Sequence, residues 1–372
     1  MAPQNDIQIN DLLAAERRPK GLTRRAMSPP FSFVRNLLSK NGNKPPLMTA
    51  QLGGRDHIEI VEPEALSIHQ AQAQFYQAMF DLDAASALAY SLNALSLPQK
   101  LVVDVARSAL SEKDYRLKAV PRLPTIIPKL LRSLRDPEAS ARNYVEIINK
   151  DPALSAAVLK LANSVYFNPT TKRIDNIEFA VVKLGIEGLR AVLSAAVMQP
   201  LVQRKSDYFS HFGLRLWEHT LSVAVACETL AAVRGFEPYK AYLLGLTHDI
   251  GKITLFSELS KQFRQNPTST APPAEAFLPL LKERSASLSS AIAMDWELPK
   301  EICSALQQQV DIEHGRQVGP YAHLLFQANL ACEAYAVTKH CVEHSIDLKA
   351  LSRQLSLPET LFADLDCLSV QV

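Results

Sequence analysis

Two histidines and an aspartate carry the most specific chemistry in this chain. His219 lies in the run LRLWEHTLSVAVACETL, and the adjacent pair His248-Asp249 follows about thirty residues later in AYLLGLTHDIGK. Leu216, Val223, Ala226 and Leu230 share one helical face with His219, so the first run reads as a helix. Gly235 is placed to stop it, and Pro238 suits the first turn of a second helix that ends at His248-Asp249, just before Gly251. Two imidazoles and a carboxylate on neighbouring helices can converge on one divalent cation, which acidifies a bound water for attack on phosphorus. The same residues also admit a plainer reading. A histidine on a core stripe is commonly a hydrogen-bonded interior residue. Lys252, one turn beyond Asp249, is placed to pair with that carboxylate and make the group a polar structural cluster.

The elements that position these residues follow from composition and pattern. At 372 residues and 47% apolar, the chain can bury a sizeable core and hold more than one unit. A formal net charge of +2 gives no overall attraction to polyanions. The five cysteines, at 227, 303, 332, 341 and 367, form no CxxC pair. They indicate neither a zinc ribbon nor a disulfide framework, and free thiols in a reducing cytoplasm account for them. No apolar run approaches the length of a membrane span, and the N-terminus lacks a signal-peptide core, so a cytoplasmic location is expected. Glycine is scarce, β-branched alternation is rare and helical spacing recurs, which makes the fold class all-α.

Residues 1–55 differ from the rest: Arg17, Arg18, Lys20, Arg24, Arg25, Arg35, Lys40 and Lys44 outnumber Asp6, Asp11 and Glu16, and Pro29-Pro30 and Gly53-Gly54 break regular structure. A flexible basic tail is expected, the one place where nucleic acid would bind. Residues 56–117 read as a helical segment: one helix over 64–80 with Leu66, Ala73, Tyr76 and Phe80 inward, one over 84–95, and one opened by Pro98 with Leu101, Val105 and Leu110 as its apolar positions. Leu123-Pro124 opens a further helix over 125–134, and Asp136-Pro137 and Asp151-Pro152 are cap-and-start pairs. Asn163 and Ser164, ending an apolar helix, suit bonds to backbone in the next turn. Gly185 and Gly188 suit a tight turn between helices, and KLGIEGLR lacks the strand and glycine spacing of a dinucleotide loop. Residues 316–372 end in short amphipathic helices, one started by Leu357-Pro358-Glu359, packed on the main domain.

Several of these words, in order, resemble the HDOD branch (HD-related output domain) of the HD superfamily of metal-dependent phosphohydrolases. They are VPRLPTIIPKLL, LANS, KLGIEGLR, LWEHTLSVA, AYLLGLTHDIGK and MDWELPKEICSAL, covering about Ala119 to Val310. The resemblance implies an HD-like multi-helix bundle over 118–315 and a largely regulatory role. It also implies a ligand set in which His219, His248 and Asp249 match three of the superfamily's four defining positions. The fourth, an aspartate on a later helix, falls at Asn329, a neutral and weaker ligand. Metal-binding relatives carry further histidines that, aligned by Trp296, fall near Ser285, Gln309 and Val310, and none is histidine here.

The expected function is therefore a regulatory signal-transduction or scaffold protein acting through protein partners of a signalling pathway, with no catalytic residue of its own. Its metal positions His219, His248, Asp249 and Asn329 are a remnant, with Lys252 beside them; a divalent metal is the one cofactor they leave open, and an empty site is favoured over it. The alternative is a metal-dependent phosphohydrolase of nucleotides or cyclic nucleotides that uses a divalent ion. The oligomeric state is not encoded in any motif.

Overall fold

Helical periodicity in the sequence becomes a succession of helices. The computed structural model describes residues 68–368 apart from 81, 83–94, 134–140, 170–171, 204–206, 268–270, 313–316 and 341–345. The basic tail, Leu66, most of the helix expected over 84–95, and the Asp136-Pro137 pair lie outside the described residues. The helices are α1 (Ile68–Phe80), α2 (Leu97–Ser111), α3 (Lys113–Ala119), α4 (Ile126–Ser133), α5 (Ala141–Asn149), α6 (Pro152–Ala162), α7 (Ile177–Val202), α8 (Phe212–Arg234), α9 (Pro238–Thr247), α10 (Ile250–Gln265), α11 (Leu278–Asp295), α12 (Lys300–Ile312), α13 (Pro320–His340), α14 (Leu348–Gln354) and α15 (Leu361–Leu368). All regular structure among the described residues is helical, as the all-α reading requires.

The centre of the bundle is α8, which packs against α1, α7, α9, α13 and α15. It is buried on nearly every side, from Leu216 and Trp217 through Val223, Ala226 and Leu230, as expected of a helix apolar all round. It stops where the sequence places the stop, at Gly235, whose φ of 76° suits a residue without Cβ. Glu237 then caps α9 by accepting from the backbone N–H groups of Tyr239 and Lys240, with Pro238 at the first helical position. Helices α8 and α9 touch backbone to backbone. A Cβ added at Gly245 would lie 2.5 Å from Ala224 Cα and 2.8 Å from the Val223 carbonyl oxygen. That close approach brings the end of α9 beside the middle of α8.

Other expectations meet the structure residue by residue. Asp151 caps α6 through the N–H groups of Ala153 and Leu154. Asn163 clamps the next turn: its Nδ2 donates to the carbonyls of Leu159 and Ile174, and its Oδ1 accepts from Ile174 N–H. Gly185, with φ 69°, is the bend that divides α7, whereas Gly188 sits inside the second limb. Gln327 Nε2 of α13 donates to the Leu355 carbonyl at the end of α14, and Tyr335 Oη of α13 to Asp366 of α15.

Of the apolar positions named on α2, Leu101 and Val105 face outward, 58% and 50% exposed, and continue a row from Leu97 at 71%. The buried face is Val102, Val103, Ala106 and Leu110. Apolar character on both sides of α2 hid which face turns inward.

Glu228 on α8 gives a test of the packing. Burial first, then the charges of Glu187 and Glu237, push its carboxyl up to about 8 from an ordinary 4.5. An acid whose folded value is raised keeps a proton that the unfolded chain has lost. Its presence therefore lowers stability as pH climbs from about 4.5 to about 8, by up to about 1.4 kcal/mol per pH unit. Glu228→Gln is expected to raise the unfolding free energy at pH 8 and to flatten its pH dependence between 5 and 8. Denaturant titrations at several pH values would show this, and an unchanged slope would contradict it.

Candidate metal centre

Three elements build the site. His219 comes from the middle of α8. His248 and Asp249 form the junction between α9 and α10, His248 capping the first and Asp249 preceding the second. All three are buried. One nitrogen from each imidazole and one carboxylate oxygen lie within 4.8 Å of one another, so the structure brings together the residues that the sequence pairs across about thirty positions. His219 Nε2 is 3.5 Å, and His248 Nε2 3.3 Å, from Asp249 Oδ2. Asn329, from α13, joins the group with its Oδ1 3.1 Å from His219 Nε2.

Second partners orient these groups. His248 Nδ1 donates to the Gly245 carbonyl at 2.7 Å, which leaves Nε2 as the face turned to the cluster, without a hydrogen bond. Such a fixed imidazole with a free Nε2 lone pair is what a metal ligand requires. With the His219 imidazole, the Asp249 carboxylate and the Asn329 carbonyl, it makes a donor set that fits a divalent ion of the zinc or manganese type.

The carboxylate, however, already has a cation. Lys252 Nζ lies 2.8 Å from Asp249 Oδ1 and 2.9 Å from Oδ2. Burial alone would raise the Asp249 carboxyl. The influence of His248, Lys252 and His219 outweighs burial and holds it well below the ordinary carboxylate range, with the Lys252 ammonium the cation in direct contact. Burial opposes the Lys252 charge, and Asp249, then Tyr76 and Glu333, hold it above its ordinary value. Burial, helped by His248 and Lys252, depresses His219 well below an ordinary histidine.

Sequence reasoning missed three members of the site. Phe75 of α1 packs against His219 with ring centroids 4.5 Å apart and planes tilted by 50°. The Lys252 ammonium lies over the Phe75 and Tyr76 rings, at 5.2 and 5.8 Å. Glu333, one turn beyond Asn329, accepts from Asn329 Nδ2 at 3.0 Å, and burial pushes its carboxyl up to about 7. The adjacent aromatics in a glutamine-rich helix and the four-residue spacing of Asn329 and Glu333 were the available signals. Neither points to a site until the helices are assembled. A cavity of about 470 Å³ opens beside the cluster, lined by Tyr76, Asp249, Lys252, Glu333, Leu306 and Phe326. Ser285 and Gln309, where metal-binding relatives would place imidazoles, line the same cavity. Val310 is not part of that wall.

Comparisons with known proteins agree with this architecture. The model of the HDOD domain matches residues 120–312, about half of the chain. An uncharacterised protein from Treponema pallidum (strain Nichols) is 25% identical over 231 residues, which are 60% of this chain and 44% of that protein, so the chain spans less than half of that relative's length. A solved HDOD domain protein of unknown function from Geobacter sulfurreducens superposes with a TM-score of 0.50 at 20% identity, covering 73% of this chain and 99% of that one. A structure from Shewanella amazonensis SB2B, provisionally assigned as a metal-dependent phosphohydrolase, gives a TM-score of 0.48 at 18% identity, covering 73% and 100%. At 20% identity the likeness to the Geobacter structure speaks for the fold alone.

The buried pair sets a test. Asp249→Asn strands the Lys252 ammonium and is expected to cost about 3–5 kcal/mol of stability. Asp249→Asn combined with Lys252→Met should recover on the order of 2 kcal/mol of that loss, a non-additivity measurable by denaturant unfolding of all four proteins. Because the Asp249 carboxyl is held below its ordinary 3.8, its contribution is complete above that pH and drains away as pH falls beneath it. Additive losses in the two single variants would contradict the pairing.

Proposed function

The chain belongs to the HDOD domain family, and on that footing we propose that it is a regulatory signal-transduction or scaffold protein. In this reading it works through protein contacts and does not hydrolyse phosphoesters at its histidine–aspartate site. The observation that carries the proposal is the engagement of both Asp249 oxygens by the Lys252 ammonium. A two-metal hydrolytic centre needs a carboxylate free to bridge its ions and imidazoles for the second ion. Here the bridging carboxylate is neutralised from within the chain, and the second set of positions holds Ser285 and Gln309. A single divalent ion, when bound, would supply a polarised water, and His219, His248, Asp249 and Asn329 would hold it. Asn329 adds no charge to offset the loss of the Lys252 pairing.

The surface supports the contact role. Leu97, Leu101 and Val105 follow one another at four-residue spacing on α2, each at least half exposed. An exposed apolar row of this kind is a feature of binding faces. No helix among the described residues is long and apolar enough to cross a membrane.

Purified protein supplied in turn with manganese, magnesium, iron or zinc is expected to turn over generic phosphodiesters, nucleoside phosphates and cyclic dinucleotides no faster than its His248→Ala and Asp249→Ala variants. Turnover that disappears in both variants, with folding intact, would establish the rival reading of a metal-dependent phosphohydrolase.

A further inference from the structure

We propose that Phe75 and Tyr76 of α1 are positioning residues that hold the Lys252 ammonium on Asp249 and thereby close a divalent-cation site built from His219, His248 and Asp249. The inference rests on the preceding reading, in which Lys252 takes the place of a metal as the counter-charge to Asp249.

The donor set alone does not explain why an ammonium should prevail there. A lysine head group is carried on a flexible four-carbon stem and loses considerable rotamer freedom when fixed. A second acid is nearby: Glu333 lines the same cavity and acts electrostatically on Lys252. If Lys252 turned from Asp249 toward Glu333, the cavity would receive its side chain, and the carboxylate would face the two imidazoles unpaired. What opposes that turn is aromatic. The Phe75 and Tyr76 rings lie 5.2 and 5.8 Å from Nζ, and a desolvated ammonium is attracted to ring faces. Phe75 is wholly buried and also fills the space against the His219 imidazole.

The rings are in turn held from outside the site. Phe80, at the end of α1, sits among Phe209, Phe212, Phe256 and Phe277 with centroid distances of 4.8 to 6.3 Å. The Arg215 side chain donates to the Ala78 carbonyl. The anchor is thus separate from the seal: Phe80 fastens the helix, and Phe75 and Tyr76 face the cluster. Helix α1 also precedes the segment matched by the family model, so the seal is supplied from outside that segment.

The separation makes the test selective. Cobalt(II) is titrated into the full chain, binding is followed by visible absorption and calorimetry, and zinc is then added in competition. Phe75→Leu/Tyr76→Leu is expected to bind cobalt at least about tenfold more tightly than the parent, the scale of losing a buried cation–π contact. Its absorption bands should vanish when His248→Ala is added. Phe80→Leu loosens the anchor but keeps both rings and should raise cobalt affinity by less than the double variant; Phe75→Tyr keeps the ring and should bind cobalt as the parent does. Should the double variant not fold, Phe75→Leu alone, a milder change of shape, is expected to shift affinity in the same direction. If the leucine variants bind cobalt no better than the parent while Lys252→Met does, the rings have no positioning role and the inference falls. That outcome would leave the non-hydrolytic reading intact. Metal-dependent turnover by the parent protein would instead overturn that reading.

Discussion

A carboxylate buried at the junction of α9 and α10 must have a counter-charge, and most of the site follows from how that need is met. Desolvating Asp249 without a partner would cost several kcal/mol. The chain answers with Lys252, one turn away on the same helix, at 2.8 and 2.9 Å. That choice in turn requires an environment able to hold a buried ammonium. The aromatic faces of α1 and the second carboxylate at Glu333 provide it. His219 and His248, packed against Asp249, are kept in place by Asn329 and the Gly245 carbonyl.

The close approach of α8 and α9 is what allows the cluster to exist. Glycine at 245 lets the two backbones touch, and the same residue's carbonyl sets the orientation of His248. One position therefore governs both packing and the ring orientation at the site. The membership in the HDOD family agrees with a scaffold that keeps this geometry, and the proposed role follows from what occupies it.

Much of this was legible in the sequence because it depends on local rules. The stop at Gly235, the start at Pro238, the cap at Asp151 and the clamp at Asn163 are all backbone chemistry written within a few residues. The pairing of Lys252 with Asp249 was legible for the same reason, being a contact one helical turn long. The convergence of His219 with His248-Asp249, and the place of Asn329 beside them, came from the family's words and not from spacing alone. The contributions of Phe75, Tyr76 and Glu333 were not legible. They reach the site from helices far away in sequence, and an aromatic on an amphipathic helix looks the same whether it packs on a leucine or covers an ammonium. Leu101 and Val105 show the converse: apolar residues at helical spacing on α2 look like core, and only the packed structure shows the row facing outward.

The most direct measurement of the central claim, that an internal ammonium and not a metal balances Asp249, is thermal unfolding of the unmodified chain with and without divalent ions. An ion that binds only the folded state raises the unfolding free energy by RT ln(1 + [L]/Kd), about 2.7 kcal/mol at a hundredfold excess over Kd. Protein stripped with a chelator should melt at the same temperature in chelator and in micromolar zinc or manganese, and the metal content of untreated protein should be well below one ion per chain. A stoichiometric ion that survives purification, with a melting point that falls on chelation and returns on adding the metal back, would contradict the account.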